Sequence, residues 1–101
     1  MDLQTTKGSD GFVAKLSGKM MFSDNVAFRL LLQDVRACGA PCCVFDVSEL
    51  TSIDSAGLGM LVIAAEAAKS QGWEMVVRKP EGQVKQLLAL ARFDKLMTIR
   101  D

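Results

Sequence analysis

The chain has 101 residues, 50% of them hydrophobic and 24% charged, with 12 Lys and Arg against 12 Asp and Glu for a net charge of zero. That length and composition suit one domain that builds a core without metal or disulfide staples, and the balanced charge offers no basic footprint for nucleic acid or an acidic membrane surface. Histidine is absent and the three cysteines are Cys38, Cys42 and Cys43, which removes Ser-His and Cys-His nucleophile pairs and leaves no usual metal ligand set.

The N-terminus, Met1-Asp2-Leu3-Gln4, lacks the basic and apolar regions of a secretory signal, and no uncharged apolar run reaches the roughly 18 residues of a membrane span. A cytoplasmic protein with reduced thiols, outside the membrane, is expected. Leu3 to Lys7 reads as a first strand. Ser9-Asp10-Gly11 reads as a hairpin turn into a second, antiparallel strand over Phe12 to Ser17, ended by Gly18. A loop with an apolar patch, Met20-Met21-Phe22, leads to Ser23 as a helix N-cap, with Asp24 in the first turn. The first helix runs to about Ala37, with Ala27/Phe28, Leu31/Leu32, Val35 and Cys38 inward, Arg29, Gln33 and Arg36 outward, and Gly39 and Pro41 as its stop.

Cys42 to Val47 is an apolar run broken by Asp46, suited to a central strand covered on both faces. Ser48 to Asp54 is expected as a loop. A second helix covers about Ala56 to Gln71 and stops at Gly72. Leu58, Leu61, Val62, Ala65 and Ala68 make its inner face, yet Met60, Ile63, Ala64 and Ala67 leave the other side apolar too, so that side is either buried or meets a partner. Trp73 to Val77 is a fourth strand. Pro80 starts a third helix, with Val84, Leu87, Leu88 and Ala91 inward, and Leu96 to Ile99 is a last strand. The order β-β-α-β-α-β-α-β implies one α/β domain over residues 1–101, with a mixed sheet of about five strands and helices packed on it.

Asp54-Ser55-Ala56-Gly57-Leu58-Gly59 places a serine beside an aspartate where the chain enters the second helix. Helix starts carry unpaired N–H groups and a partial positive charge. Ser55 reads either as a plain N-cap or as a functional hydroxyl. Asp54 reads either as a local capping acid or as electrostatic support for a site. Each glycine in a first helical turn costs about 1 kcal/mol against alanine, a cost that close backbone approach to a partner or phosphate would explain. Without a following Gly-Lys-Ser/Thr the pair is not a P-loop.

The segment Val44-Phe45-Asp46-Val47-Ser48-Glu49-Leu50-Thr51-Ser52-Ile53-Asp54-Ser55-Ala56-Gly57-Leu58-Gly59-Met60-Leu61 resembles the signature of the STAS family, in the form of its bacterial anti-sigma factor antagonists. The element order fits along the whole chain. The resemblance implies that Ser55 is phosphorylated by a partner kinase, which supplies the ATP, so that the chain itself needs no cofactor and is not an enzyme. It implies an unphosphorylated form that binds an anti-sigma factor, often itself a serine kinase, and a phosphorylated form that releases it. A PP2C-type phosphatase, in one subgroup joined to a response regulator, resets the cycle. The partner-binding surface then comprises Asp54, Ser55, Ala56, Gly57, Leu58, Gly59, Met60 and Ile63, with Met21 and Asp24 from the loop before the first helix. Many antagonists read Gly-x-Leu-Asp in that loop; here Met21 takes the acid's place and the nearest acid is Asp24. The resemblance also leaves open a STAS subunit of a larger assembly, such as a lipid-transport ATPase or a stressosome-like complex, that binds its partner constitutively.

Overall fold

The computed structural model describes residues 1–8 and 11–101. Five strands, β1 (Asp2–Lys7), β2 (Phe12–Met20), β3 (Cys42–Ile53), β4 (Glu74–Arg78) and β5 (Thr98–Arg100), form one sheet in chain order. The β1–β2 pair is antiparallel and the other three pairs are parallel, as the element order predicts. Helices α1 (Asn25–Cys38), α2 (Ser55–Gln71) and α3 (Gly82–Leu90) connect successive parallel strands. Each connection steps one strand in the same direction, so right-handed crossovers put all three helices on one face. The Ser9-Asp10-Gly11 turn falls outside the described residues at Ser9 and Asp10.

The core lies between that face and the helices. Phe12, Ala14 and Leu16 of β2, Cys43, Phe45 and Val47 of β3, and Met75 and Val77 of β4 point into it. They meet Phe28, Leu31 and Val35 of α1, Leu61, Ala64 and Ala68 of α2, and Val84 and Leu88 of α3. Phe28 stacks on Phe45 with ring centroids 5.9 Å apart.

Several sequence expectations shift. β3 is covered on one face, with buried and half-buried residues alternating from Cys42 to Ser48. Its other face carries no helix and is mixed: a polar row, Lys15, Asp46, Arg78 and Arg100, runs across β2 to β5 beside an apolar row, Val13, Val44 and Val76, in which Val76 is buried. Gly18 does not end β2. It adopts φ 83° beside a register shift, and the strand continues to Met20. The expected Ser48–Asp54 loop is strand to Ile53, because the longer β2 pairs with it and the extension buries Leu50 and Ile53. Ser23 lies in a 3-10 turn, Phe22–Asp24, and Asp24 takes the N-cap position of α1. Ala27 is exposed rather than inward. Pro80 is buried in the β4–α3 connection, Glu81 takes the N-cap position of α3, and Ala91 lies exposed past its end. Trp73 precedes β4, and a second 3-10 turn, Phe93–Lys95, pushes β5 to Thr98–Arg100 with Leu96 exposed before it.

Asp46 carries a pH dependence. Burial raises its carboxyl pKa, but donors at Ser48 and the Arg78 guanidinium outweigh it and bring the value down to about 2. Asp46 accepts from the Ser48 amide at 3.0 Å and from Arg78 Nη2 at 2.9 Å. A pKa lowered in the folded state adds stability above the unfolded value of 3.8 and loses it as pH falls toward 2. The contribution is about 2 kcal/mol. Asp46→Asn is therefore expected to flatten the acid limb of the stability curve between about pH 5 and pH 2, read by urea denaturation at each pH. An acid limb equally steep in the variant contradicts this.

Candidate partner-binding site around Ser55

The site forms where β2 and β3 end together. The Asp54 amide donates to the Met20 carbonyl at 3.3 Å, tying the two strand ends. Asp54 is the N-cap of α2: its backbone is extended, its Oδ1 accepts from the Gly57 amide at 2.7 Å, and its carbonyl accepts from the Leu58 amide at 3.0 Å. Ser55 is thus the first residue of the helix and not its cap, and its side chain is exposed. The capping role read for Asp54 is the one seen.

The two glycines differ. Gly57 is buried, and a Cβ there would stand 2.6 Å from Ile53 Cγ1 and 2.8 Å from the Met20 carbonyl oxygen. Its close approach is internal, to the chain's own strand ends, so it offers no surface to a partner. Gly59 is exposed, and a Cβ there would meet nothing within 4 Å. No contact within the chain accounts for that glycine.

Ala56, Gly59, Met60 and Ile63 line one wall of an open cleft of about 330 Å³, and Phe22, Asn25, Phe28 and Arg29 line the other. Met60 is buried at its floor and Ile63 is 45% exposed at its rim. Leu58 is half-buried against the core and faces away from the cleft. The apolar side of α2 opposite its inner face is therefore divided: Ala64 is core, and Ile63 is surface. Met21 is 47% exposed. Asp24 is turned inward, where its carboxylate accepts from the Met21 amide at 2.8 Å and from the Met1 amine at 3.2 Å. It braces the Met21–Phe22 loop instead of extending toward solvent. The apolar surface continues along α1, where Phe22, Val26 and Leu30, four residues apart, are 71%, 64% and 55% exposed.

Sequence reasoning did not place α1 beside Ser55, although its reading of Arg29 as solvent-facing agrees with the exposed side chain. It also missed Gln83. The side chain of this α3 residue accepts from the Ile53 amide at 2.9 Å and donates to the Ile53 carbonyl at 3.1 Å. Among the described residues no group of His, Cys, Asp and Glu is placed to hold a metal, and no helix is long and apolar enough to cross a membrane.

A two-layer α/β domain with a capped helix start, an exposed serine on its first turn and an apolar cleft beside it has the architecture of a STAS domain. The chain belongs to that family: the model of the family described as Mlab, STAS domain, matches residues 3–99. Solved structures share the fold. A candidate anti-sigma factor antagonist from Thermotoga maritima superposes with a TM-score of 0.85 at 20% identity, over 98% of this chain and 86% of that one. An anti-sigma factor antagonist from Mycobacterium paratuberculosis gives 0.79 at 23% identity, over 98% and 84%. The anti-sigma factor antagonist SpoIIAA, unphosphorylated, gives 0.78 at 14% identity, over 99% and 88%. Phosphorylated, the Bacillus protein gives 0.75 at 13%, over 97% and 90%.

Proposed function

We propose that the protein is an anti-sigma factor antagonist whose binding is switched by phosphorylation of Ser55. Unphosphorylated, it holds an anti-sigma factor or serine kinase against the cleft between α1 and α2. Phosphorylated, it lets go, and a phosphatase of PP2C type, alone or joined to a response regulator, restores it. The chain provides no catalysis; the partner kinase brings the ATP.

The observation that carries this reading is the division of labour at the start of α2. Asp54 caps the helix, so the Ser55 hydroxyl is not needed for capping and stands exposed. A phosphate there adds about −1.5 to −2 charges at a helix N-terminus, where negative charge is tolerated. The same charge lies beside Asp54 and at the edge of the apolar cleft, on ground a partner has to desolvate. The modification thus acts on binding and spares the fold. The likeness of this fold to SpoIIAA with and without its phosphate supports the second half of that statement.

The exposed Phe22, Val26 and Leu30 stripe favours a second reading. It extends the apolar surface along α1 beyond Ser55, as suits a constitutive subunit of a larger assembly, a lipid-transport ATPase or a stressosome-like complex, in which the serine is silent. The test is to incubate the protein with the serine kinase of its host that it binds, and ATP, and to map phosphate by mass spectrometry. Label at Ser55 is the expected result. Stable complex formation with no label at Ser55 selects the constitutive subunit.

A further inference from the structure

Beyond the cleft, α3 reaches the site through one side chain. Gln83 forms a two-point amide clamp on Ile53, its Oε1 taking the Ile53 N–H at 2.9 Å and its Nε2 donating to the Ile53 carbonyl at 3.1 Å. Ile53 is the last residue of β3; it lies in register with Met20 of β2 on one side and has no β4 partner on the other. Pairing of β3 with β4 stops at Asp46 and Arg78, seven residues earlier. The clamp therefore stands in for the missing strand partner.

Ile53 matters to Ser55 for a steric reason. Its side chain is buried and, with the Met20 carbonyl, fills the space that a Cβ at Gly57 would need, its Cγ1 standing 2.6 Å from that position. Asp54, the cap, is its immediate neighbour and is tied to Met20 on the other side by a longer bond of 3.3 Å. Moving Ile53 moves the floor under the first turn of α2 and the residue that caps it. The connection that delivers Gln83 is itself shaped for a tight return. Lys79 and Gly82 both adopt left-handed backbone conformations, at φ 57° and 56°, on either side of the buried Pro80.

We infer that Gln83 is a positioning residue for Ser55, holding the end of β3 so that the capped first turn of α2 presents the serine in one pose. As a statement about the presentation of the phosphorylation site, the inference rests on the switch proposed above. A glutamine suits the task because one planar group supplies a donor and an acceptor together. Leucine supplies neither, and a carboxylate accepts from the Ile53 amide but repels its carbonyl. A protonated carboxyl again offers one donor and one acceptor.

The test uses the full chain and needs no kinase. Backbone amide hydrogen exchange is measured for the parent, Gln83→Leu and Gln83→Glu from pH 7 to pH 4, the parent serving as the reference at each pH. In Gln83→Leu the Gly57 and Leu58 amides, both bonded to Asp54, are expected to exchange about tenfold faster at every pH, while those of Val44 to Val47 keep their rates. In Gln83→Glu the same loss is expected at pH 7, and recovery toward the parent as pH falls to the ordinary glutamic range near 4.3. Unchanged Gly57 and Leu58 rates in both variants overturn the inference, as does a loss in Gln83→Glu that does not recover in acid. A serine that is never phosphorylated overturns the switch and leaves the exchange result standing, so the two failures are distinguishable.

Discussion

Gly57→Ala is expected to lower stability by about 1 to 2 kcal/mol, and Gly59→Ala, two residues on, to raise it. At Gly57 the added methyl would lie 2.6 Å from Ile53 Cγ1 and 2.8 Å from the Met20 carbonyl oxygen. Neither obstacle yields easily. Ile53 is 3% exposed, and its backbone is held by Gln83. The Met20 carbonyl belongs to a paired strand and accepts the Asp54 amide. Overpacking of this kind costs about 1–3 kcal/mol, and the higher helix propensity of alanine returns less than about 1 kcal/mol of it. At Gly59 no atom stands within 4 Å of the new methyl, so the propensity gain is unopposed. In a domain of this size each kcal/mol moves the melting temperature by roughly 4–8 °C. Thermal denaturation of the two variants should therefore move in opposite directions from the parent. A Gly57→Ala protein as stable as the parent would show that the strand ends shift freely, and the account of the rigid first turn fails with it. Gly59→Ala has a second consequence. Its methyl projects into the cleft, so the more stable protein is expected to bind its partner less well.

That contrast marks where sequence reasoning stops. The Asp-Ser-Ala-Gly-Leu-Gly string announces a helix start with two costly glycines, and the chemistry of each residue type is readable there. Which glycine faces inward depends on where Ile53 and Met20 come to lie, and both positions follow from strand lengths that the local sequence understates. β2 runs past Gly18 and β3 past Ser48 because each extension pairs with the other. Neither extension carries enough apolar alternation to be read alone. The strand-helix alternation, in contrast, is legible from helical periodicity in α1 and from the Gly39 and Gly72 stops, and it dictates a parallel sheet with one antiparallel edge. The run Cys42 to Val47 misleads in a specific way: its cysteines and valines look apolar on both sides, yet Asp46 shares its face with Lys15 and Arg78. Gln83 is invisible to motif reading, since an exposed glutamine on a helix carries no pattern. Its role depends on a single amide pair that only the folded chain brings within reach.

Ser55→Asp is expected to abolish switching while leaving the fold in place, and Ser55→Ala to lock binding on. The aspartate enters the first turn of α2, where the helix dipole favours a negative charge by about 0.3–1 kcal/mol. The neighbouring Asp54 carboxylate opposes it, so the net change in stability is smaller than about 1 kcal/mol. On the partner side the balance differs. The new charge has to be desolvated beside Asp54 at the rim of a cleft walled by Phe22, Met60 and Ile63. A loss of about tenfold to a hundredfold in affinity follows, equivalent to roughly 1.4–2.8 kcal/mol. Ser55→Ala removes a hydroxyl that the helix does not use for capping, so affinity stays near that of the parent and no longer falls when kinase and ATP are added. Calorimetric titration of the bound kinase with each variant, beside thermal melts, reads both quantities. Equal affinities for the parent and Ser55→Asp, with intact melts, would remove the switch and leave a constitutive binding subunit. A collapse of the melt in Ser55→Asp would show that the first turn does not tolerate charge, and the separation of binding from folding would be lost. The expected pattern, a stable fold with weakened binding, requires the capping to rest on Asp54 and the switching on the serine beside it.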